Sequence, residues 1–351
     1  MERQEVQSEI EESKLIRPKG LLYHYTTLDG LIGIINSDNL HATHVKYMND
    51  SKEFIDVLDH LDNMVDELGE IVQLIRGSTE DARHGLKLIL QSSLSHISGN
   101  TQIYIISFTD DESQLTSSDQ VPGDRLSQWR AYSVNGKGVS LGFDYDTLNK
   151  GGKNHAWFTQ EYMAYLLYCI YHNYDKRMAF KRAGTLFADQ LIKIRKEIVE
   201  TAISKYLNPK VDQTWSDPDP VLKLIGTHLV QELIINATTF KNPAYFEEKE
   251  WRIVILSSRN KIAENNITEN SVFPVRFRNG IVGITPYIEY PLELKTPNSP
   301  LRKIIVGPTP HSEEAVLGVK MFLEEKGVRL KSESFPNGVE VLPSKNPYRN
   351  W

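Results

Sequence analysis

The segment YFEEKEWRIVIL, Tyr245 to Leu256, decides the fold. Side chains along a strand alternate between its two faces, so Trp251, Ile253 and Ile255 point one way and Glu248, Glu250 and Arg252 the other. At ~3.3 Å rise per residue, successive members of the second set lie about 7 Å apart. One face is suited to a core, while the other carries two carboxylates and a guanidinium at the strand entrance. Like charges this close raise the pKa of one carboxylate unless a cation offsets them, and Arg252 is the candidate cation. A solvated strand end with a local ion pair would use the same residues, so the E-x-E spacing gains weight only from its surroundings.

Upstream, LLYHYTT (Leu21–Thr27) reads as a short aromatic strand, with Thr26 or Thr27 placed to cap a helix over LDGLIGIINSDN. His24 lies inside that strand, where a histidine is usually a satisfied core or surface residue. Residues 1–20 read as a flexible arm ending at Pro18 and Gly20. Asp50 and Glu53 have the spacing of a capping box before a long amphipathic helix (FIDVLDHLDNMVDELGEIVQLI), and Asp81–Ser95 reads as a second helix. QIYIISFT and KGVSLGF have the β-branched and aromatic content of strands. Between Phe158 and Phe240 the pattern reads as a helical insertion, broken at SDPDP. RIVIL, FPVRF, KIIVG and VRLKSES then read as strands, with a helix over SEEAVLGVKMFLEEKG. Helices and strands are segregated rather than alternating, which implies an α+β domain spanning 21–351.

Composition narrows the function classes. Acidic residues (46) exceed basic ones (40) for a formal charge of -6, so no global field recruits nucleic acid or an anionic membrane. The single cysteine, Cys169, lies in the apolar run YLLYCIY; this excludes an internal disulfide framework and fits a core position in a reducing compartment. No window reaches the ~18 apolar residues of a membrane span, and the expectation is a cytoplasmic protein. His41 and His44 lack a nearby third ligand for zinc. GGK at Gly151 lacks the rest of a phosphate-binding loop. Glu247 and Lys249 match the E-x-K end of a Mg²⁺-dependent nuclease core, with Asp110 or Asp144 as the missing aspartate, but alternation places them on the apolar face of the strand.

Taken in order, YHYT, MNDSKEF, ISFTDD, LSQWRAYSVNGKGVSLGF, FKNPAYFEEKEWRIVI, IIVGP and SKNPYR resemble the signature blocks of a bacterial family met near phage-defence and toxin genes. The block order is similar to that of ADP-ribosyltransferases: a histidine on an early strand, an aromatic residue on a middle strand, here Tyr132 of WRAY, and a glutamate opening a late strand. That resemblance implies a split β-sheet core with flanking helices and NAD as donor substrate. The acceptor would be a macromolecule, protein or nucleic acid, with an antitoxin or defence-system component as a further partner and no membrane.

Residue by residue, the resemblance implies that Glu250 stabilises the oxocarbenium-like ribose, Glu248 orients or deprotonates the acceptor, and His24 holds the adenosine-side ribose. Tyr132 would stack on nicotinamide, with Tyr25, Trp129 and Tyr245 as competitors for that role and core packing as the alternative for Trp129. Arg130 or Arg252 would pair with the pyrophosphate, and Thr26 and Ser107 would line the cleft. No second tyrosine follows Tyr132 at the usual interval. Asn49 belongs to the same blocks, although a helix cap accounts for Asp50 and Glu53. A non-catalytic sensor of a nucleotide or phage component is the remaining alternative.

Overall fold

The computed structural model describes residues 17–48, 101–111, 121–133, 138–154, 162–171, 234–235, 237–258, 274–280 and 283–347. In chain order these form β1 (Leu22–Thr27), α1 (Leu28–Ser37), β2 (Asn39–His44), β3 (Thr101–Thr109), α2 (Leu126–Tyr132), β4 (Gly138–Phe143), α3 (Tyr145–Asn154) and β5 (Tyr162–Tyr168). They continue with β6 (Glu250–Ser258), β7 (Arg276–Gly280), β8 (Gly283–Pro291), β9 (Leu301–Val306), α4 (Ser312–Glu325) and β10 (Glu340–Pro343). The class is α+β, with helices set against one large mixed sheet.

The ten strands join in the order β10-β9-β4-β1-β3-β2-β8-β7, and β6 and β5 extend from β3. Only β10 with β9 is parallel; the other pairings are antiparallel. β3 is the branch point. β6 follows it through all nine of its residues, from Thr101↔Ser258 to Thr109↔Glu250. β1 meets β3 only at Tyr23↔Thr109, and β2 meets it only at Thr43↔Ile105 and His44↔Tyr104. Because β6 occupies one edge throughout, β1 and β2 share the other edge, and a notch opens beside Ser107 where they part.

Opposed residues in paired strands share a face, so the register assigns both faces of the sheet. Leu22, Leu141, Phe108, Trp251, Ile253 and Ile255 lie on one face, buried with Leu31, Ile34 and Ile35 of α1 and Val319 and Leu323 of α4. This is the main core. At ~25 cal/mol per Å² of apolar surface, each fully buried side chain of this kind contributes about 1.5–3 kcal/mol. The opposite face carries Tyr23, Tyr25, Thr43, Ser107, Thr109, Glu250 and Arg252, with Tyr23, Tyr25, Trp129 and Ile305 forming a smaller core there.

α1 starts where the sequence places it. The Thr27 hydroxyl accepts the Gly30 N–H at 3.0 Å, and Asp38 closes the helix in the left-handed region at φ 58°. Thr27→Ala is therefore expected to lower stability by about 1 kcal/mol in urea unfolding, with no change in slope. Thr26→Ala, which leaves the cap in place, should cost less.

Several expectations change. YLLYCIY is not helical: Tyr162–Tyr168 is a strand antiparallel to β6, and Ile170 bridges Phe240, so the expected insertion at 158–240 begins too early. An unbroken apolar run lacks the period that separates strand from helix. VRLKSES contributes only the isolated bridge Leu330↔Val339. WRAY ends a short helix rather than lying on a strand. β2, β8 and β10 had no counterpart in the reading of the sequence. Asn49, the Asp50/Glu53 cap, the two helices that follow it and most of 158–240 lie outside the described residues. Of the expected N-terminal arm, Arg17 is described: its guanidinium pairs with Asp146 in the first turn of α3 at 3.0 Å. Among the described residues, no helix is long and apolar enough to cross a membrane.

Candidate functional site

β6 begins one residue after a break in the chain direction. Pro243–Glu248 forms a 3₁₀ turn, started by the Asn242 side chain accepting the Ala244 N–H at 2.9 Å, and Lys249 follows in the left-handed region at φ 41°. Glu248 therefore does not lie on the strand with Glu250, contrary to the alternation expected from sequence. The turn nevertheless returns its carboxylate to the same place, because the Lys241 ammonium bridges Glu248 Oε2 and Glu250 Oε2.

Glu250 is enclosed, at 4% exposure. The Arg252 guanidinium grips it through Nε to Oε1 at 2.8 Å and Nη2 to Oε2 at 3.1 Å, and Arg252 Nη1 donates to the Thr238 carbonyl at 2.6 Å. The Glu250 N–H donates to the Tyr171 hydroxyl at 2.9 Å. Burial alone would raise the carboxyl pKa, but Arg252 and then Lys241 outweigh it and hold the group at about 2, against an ordinary 4.5. Burial would likewise lower the Lys241 ammonium, yet Glu250 and Glu248 push it above its ordinary value. Arg252 thus fills the offsetting role expected of it. Lys241 shares that role, and sequence reasoning passed over it.

Glu248 is the open end of this cluster, with a side chain 21% exposed beside the exposed rings of Tyr245 and Phe246. The Lys241 Nζ lies 5.2 Å from the centre of the Tyr245 ring. A pocket on the inner side borders Arg252 and is lined by Val45, Met48, Ile105, Ala237, Thr238 and Phe240. Lys249 turns back over Phe246, its Nζ 3.2 Å from the ring centre, and Asp144 caps α3 by accepting the Thr147 N–H at 2.8 Å. Glu247 and Lys249 therefore precede the strand instead of projecting from it, which corrects the alternation used for the E-x-K reading. Among the described residues, no group of three or more His, Cys, Asp or Glu side chains could hold a metal ion.

His24 occupies the notch. Its Nδ1 lies 2.9 Å from the Ser107 carbonyl oxygen, at the position where β1 has left β3 and no ladder bond is made. Its ring packs 5.9 Å from that of Phe108. Burial lowers its pKa, the Ser107 bond opposes this, and the charge of Arg278 adds to the lowering. By register His24 shares the face of Phe108 and Leu141, whereas Glu250 lies across β3 on the face of Thr109. His24 and the two glutamates do not line one pocket wall. What brings them near one another is adjacency to β3, whose Ser107 faces the notch on one edge and pairs with Arg252 on the other.

The remaining candidates divide between support and surface. The Tyr25 hydroxyl donates to Asp111 Oδ2 at 2.9 Å and accepts the Arg125 N–H at 3.0 Å, and its ring meets Trp129 edge-on at 4.9 Å. Tyr25 is thus a packing residue, and so is Trp129, whose Nε1 donates to Asp124 at 2.8 Å. Tyr132 and Arg130 are exposed on α2, a helix that packs against β1, rather than on a strand. The Thr26 hydroxyl is set against α1, where a Cβ at Gly30 would meet Thr26 Oγ1 at 2.1 Å.

Asp111 holds the blocks together. It accepts from Tyr25, from Thr109 Oγ1 at 3.0 Å and from Gly123 N at 2.9 Å, with Arg125 Nε at 3.5 Å. Arg125 also donates to the Glu247 carbonyl at 2.5 Å, and the Thr109 hydroxyl lies 2.5 Å from the Glu248 carbonyl, its single proton shared between that carbonyl and Asp111; these contacts fix the turn that presents Glu248. Asp124 receives Ser344 Oγ at 2.5 Å, Lys345 N at 2.6 Å and Asn346 Nδ2 at 2.9 Å. Among the described residues, YHYT, ISFTDD, LSQWRAY, FKNPAYFEEKEWRIVI and SKNPYR therefore meet in space, and much of what they do is hold one another. A family model described as a protein of unknown function (DUF2971) matches residues 128–253. The match runs from α2 into β6 and includes Lys241, Glu248, Glu250 and Arg252. No curated protein and no solved structure matches the chain.

Proposed function

We propose that this chain is an enzyme of the ADP-ribosyltransferase type that takes NAD as donor and transfers ADP-ribose to a macromolecular acceptor. The observation that carries the reading is the convergence of Glu248 and Glu250 on one ammonium, with Glu248 left open beside Tyr245. Breaking the bond between the ribose anomeric carbon and nicotinamide nitrogen leaves positive charge on the ribose. A fixed carboxylate stabilises that charge while nicotinamide departs with the bonding electrons.

In this reading the roles are divided differently from the expectation drawn from sequence. Glu248 meets the ribose because it reaches solvent, and Glu250 is the positioning anion that fixes Lys241 and Arg252. Tyr245, exposed and next to the cluster, takes the stacking role in place of Tyr132. The acceptor nucleophile attacks the anomeric carbon and gives its proton to a base at the open end of the site.

The near-complete enclosure of Glu250 favours a second reading, in which the site binds a nucleotide without turning it over. One experiment separates the two: incubation with NAD labelled in its adenylate moiety plus cell lysate, following nicotinamide release and label transfer. The native chain should release nicotinamide, and Glu248→Gln should slow release by about 100-fold or more under conditions where its urea unfolding curve shows it still fully folded. Equal rates for the native chain and Glu248→Gln would sink the transferase assignment. Binding without release would support the second reading.

A further inference from the structure

The β2–β8–β7 wing carries a cation that the cluster around Glu250 does not use. Arg278 of β7 is exposed, and its guanidinium is held by neutral groups. Nη1 donates to His41 Nδ1 at 3.2 Å, Nη2 donates to Thr43 Oγ1 at 2.8 Å, and the guanidinium carbon lies 5.4 Å from the centre of the Tyr287 ring. His41 in turn stacks on Tyr287 with ring centres 4.2 Å apart. Among the described residues, no carboxylate pairs with Arg278. The nearby acid, Glu289, is taken by Arg276 at 2.9 Å.

An exposed guanidinium ordinarily stays in water or pairs with a carboxylate. Here a rotamer-rich side chain is fixed in place by two neutral acceptors and an aromatic face, with the rest of its five N–H donors uncommitted. Immobilisation of this kind removes much of the ordering cost of binding a planar oxyanion. His41, as acceptor through Nδ1, is neutral in this arrangement and carries its proton on Nε2, which adds a donor to the same surface. Arg278, His41, Thr43 and Tyr287 share the sheet face of Ser107 and Glu250.

We propose that Arg278, with His41 and Thr43, forms a binding site for the phosphate of a free nucleotide. A nucleic-acid track would need several cations in a row free of carboxylates, whereas among the described residues of β2, β8 and β7 Arg276 is taken by Glu289 and the chain has a net charge of -6. The phosphate site itself does not require the transfer reaction. Its assignment to the diphosphate of a bound donor rests on the reading above: β2 lies two strand spacings, about 10 Å, from β6, and Thr43 is level with Val254, about 13 Å along β6 from Glu250, a separation of about 16 Å that an extended dinucleotide covers.

Calorimetric titration of the full chain with ADP, adenosine and a single-stranded oligonucleotide tests this. ADP should bind at least about 10-fold more tightly than adenosine, and Arg278→Gln should remove that preference while leaving adenosine affinity as it was. Arg278→Lys should retain part of it, because a point charge attracts phosphate without the paired donors of the fork. Failure of ADP to bind, or equal ADP affinity for the native chain and Arg278→Gln, would overturn the proposal. So would an oligonucleotide that binds more tightly than ADP with a steep salt dependence. Glu248→Gln should leave ADP binding intact, so loss of the phosphate site and loss of the transfer reading give different results.

Discussion

Replacing Lys241 with methionine is expected to cost about 3–5 kcal/mol of folding stability, measured as a fall in urea midpoint. Methionine matches the length of the lysine stem, so little packing is lost, and the penalty comes from the two carboxylates that lose their shared cation. Glu250 keeps Arg252, but Glu248 loses the ammonium that holds it beside Glu250. The double variant Lys241→Met/Glu248→Gln restores charge balance and should recover about half of the loss, a coupling of the size seen for residues in one ion network. Identical midpoints for the single and double variants would show that the ammonium stabilises the fold through something other than these carboxylates.

The same cluster sets an acid limit. The folded pKa of Glu250 is depressed to about 2 from an ordinary 4.5. Its contribution is therefore complete above the unfolded value and is lost as pH falls through the window from about 4.5 to about 2. A depression of this size corresponds to something on the order of 3 kcal/mol. Asp111 works in the opposite sense: burial raises its pKa despite Arg125 and three hydrogen bonds, so part of its cost is relieved on acidification. Comparing the native chain with Glu250→Gln at each pH removes the Asp111 contribution, which both share. The stability gap between them should close by about 3 kcal/mol between pH 6 and pH 2. A gap that stays constant across this range would mean that Glu250 does not gain its ionisation from Arg252 and Lys241.

Sequence periodicity was most informative where one face of an element is apolar. The alternation Trp251, Ile253, Ile255 located β6 and its core face correctly, and α1 and α4 follow from helical spacing and a cap. Alternation failed at Glu248, because a lysine in the left-handed region turns the chain there, and nothing in the identity of Lys249 announces that conformation. Lys241 was missed for a different reason. Its partners lie beyond a proline-initiated turn, and only the folded backbone brings them to it. β5 was misread because its apolar run has no period. His24 was read correctly as a strand residue, but the face it takes depends on pairing with β3 and β4, which one sequence does not contain.

The branch at β3 bears on how this molecule comes into being on the ribosome. β1, among the earliest strands made, rests between β3 and β4, while β4 takes β9 along its other edge and β9 then takes β10. Asp124 is clamped by Ser344, Lys345 and Asn346. That side of the sheet cannot close until synthesis has passed residue 346, and pairings this distant in sequence form slowly. A nascent chain therefore carries Asp124 without its clamp, and β4 without its β9 partner, until residue 346 has left the ribosome.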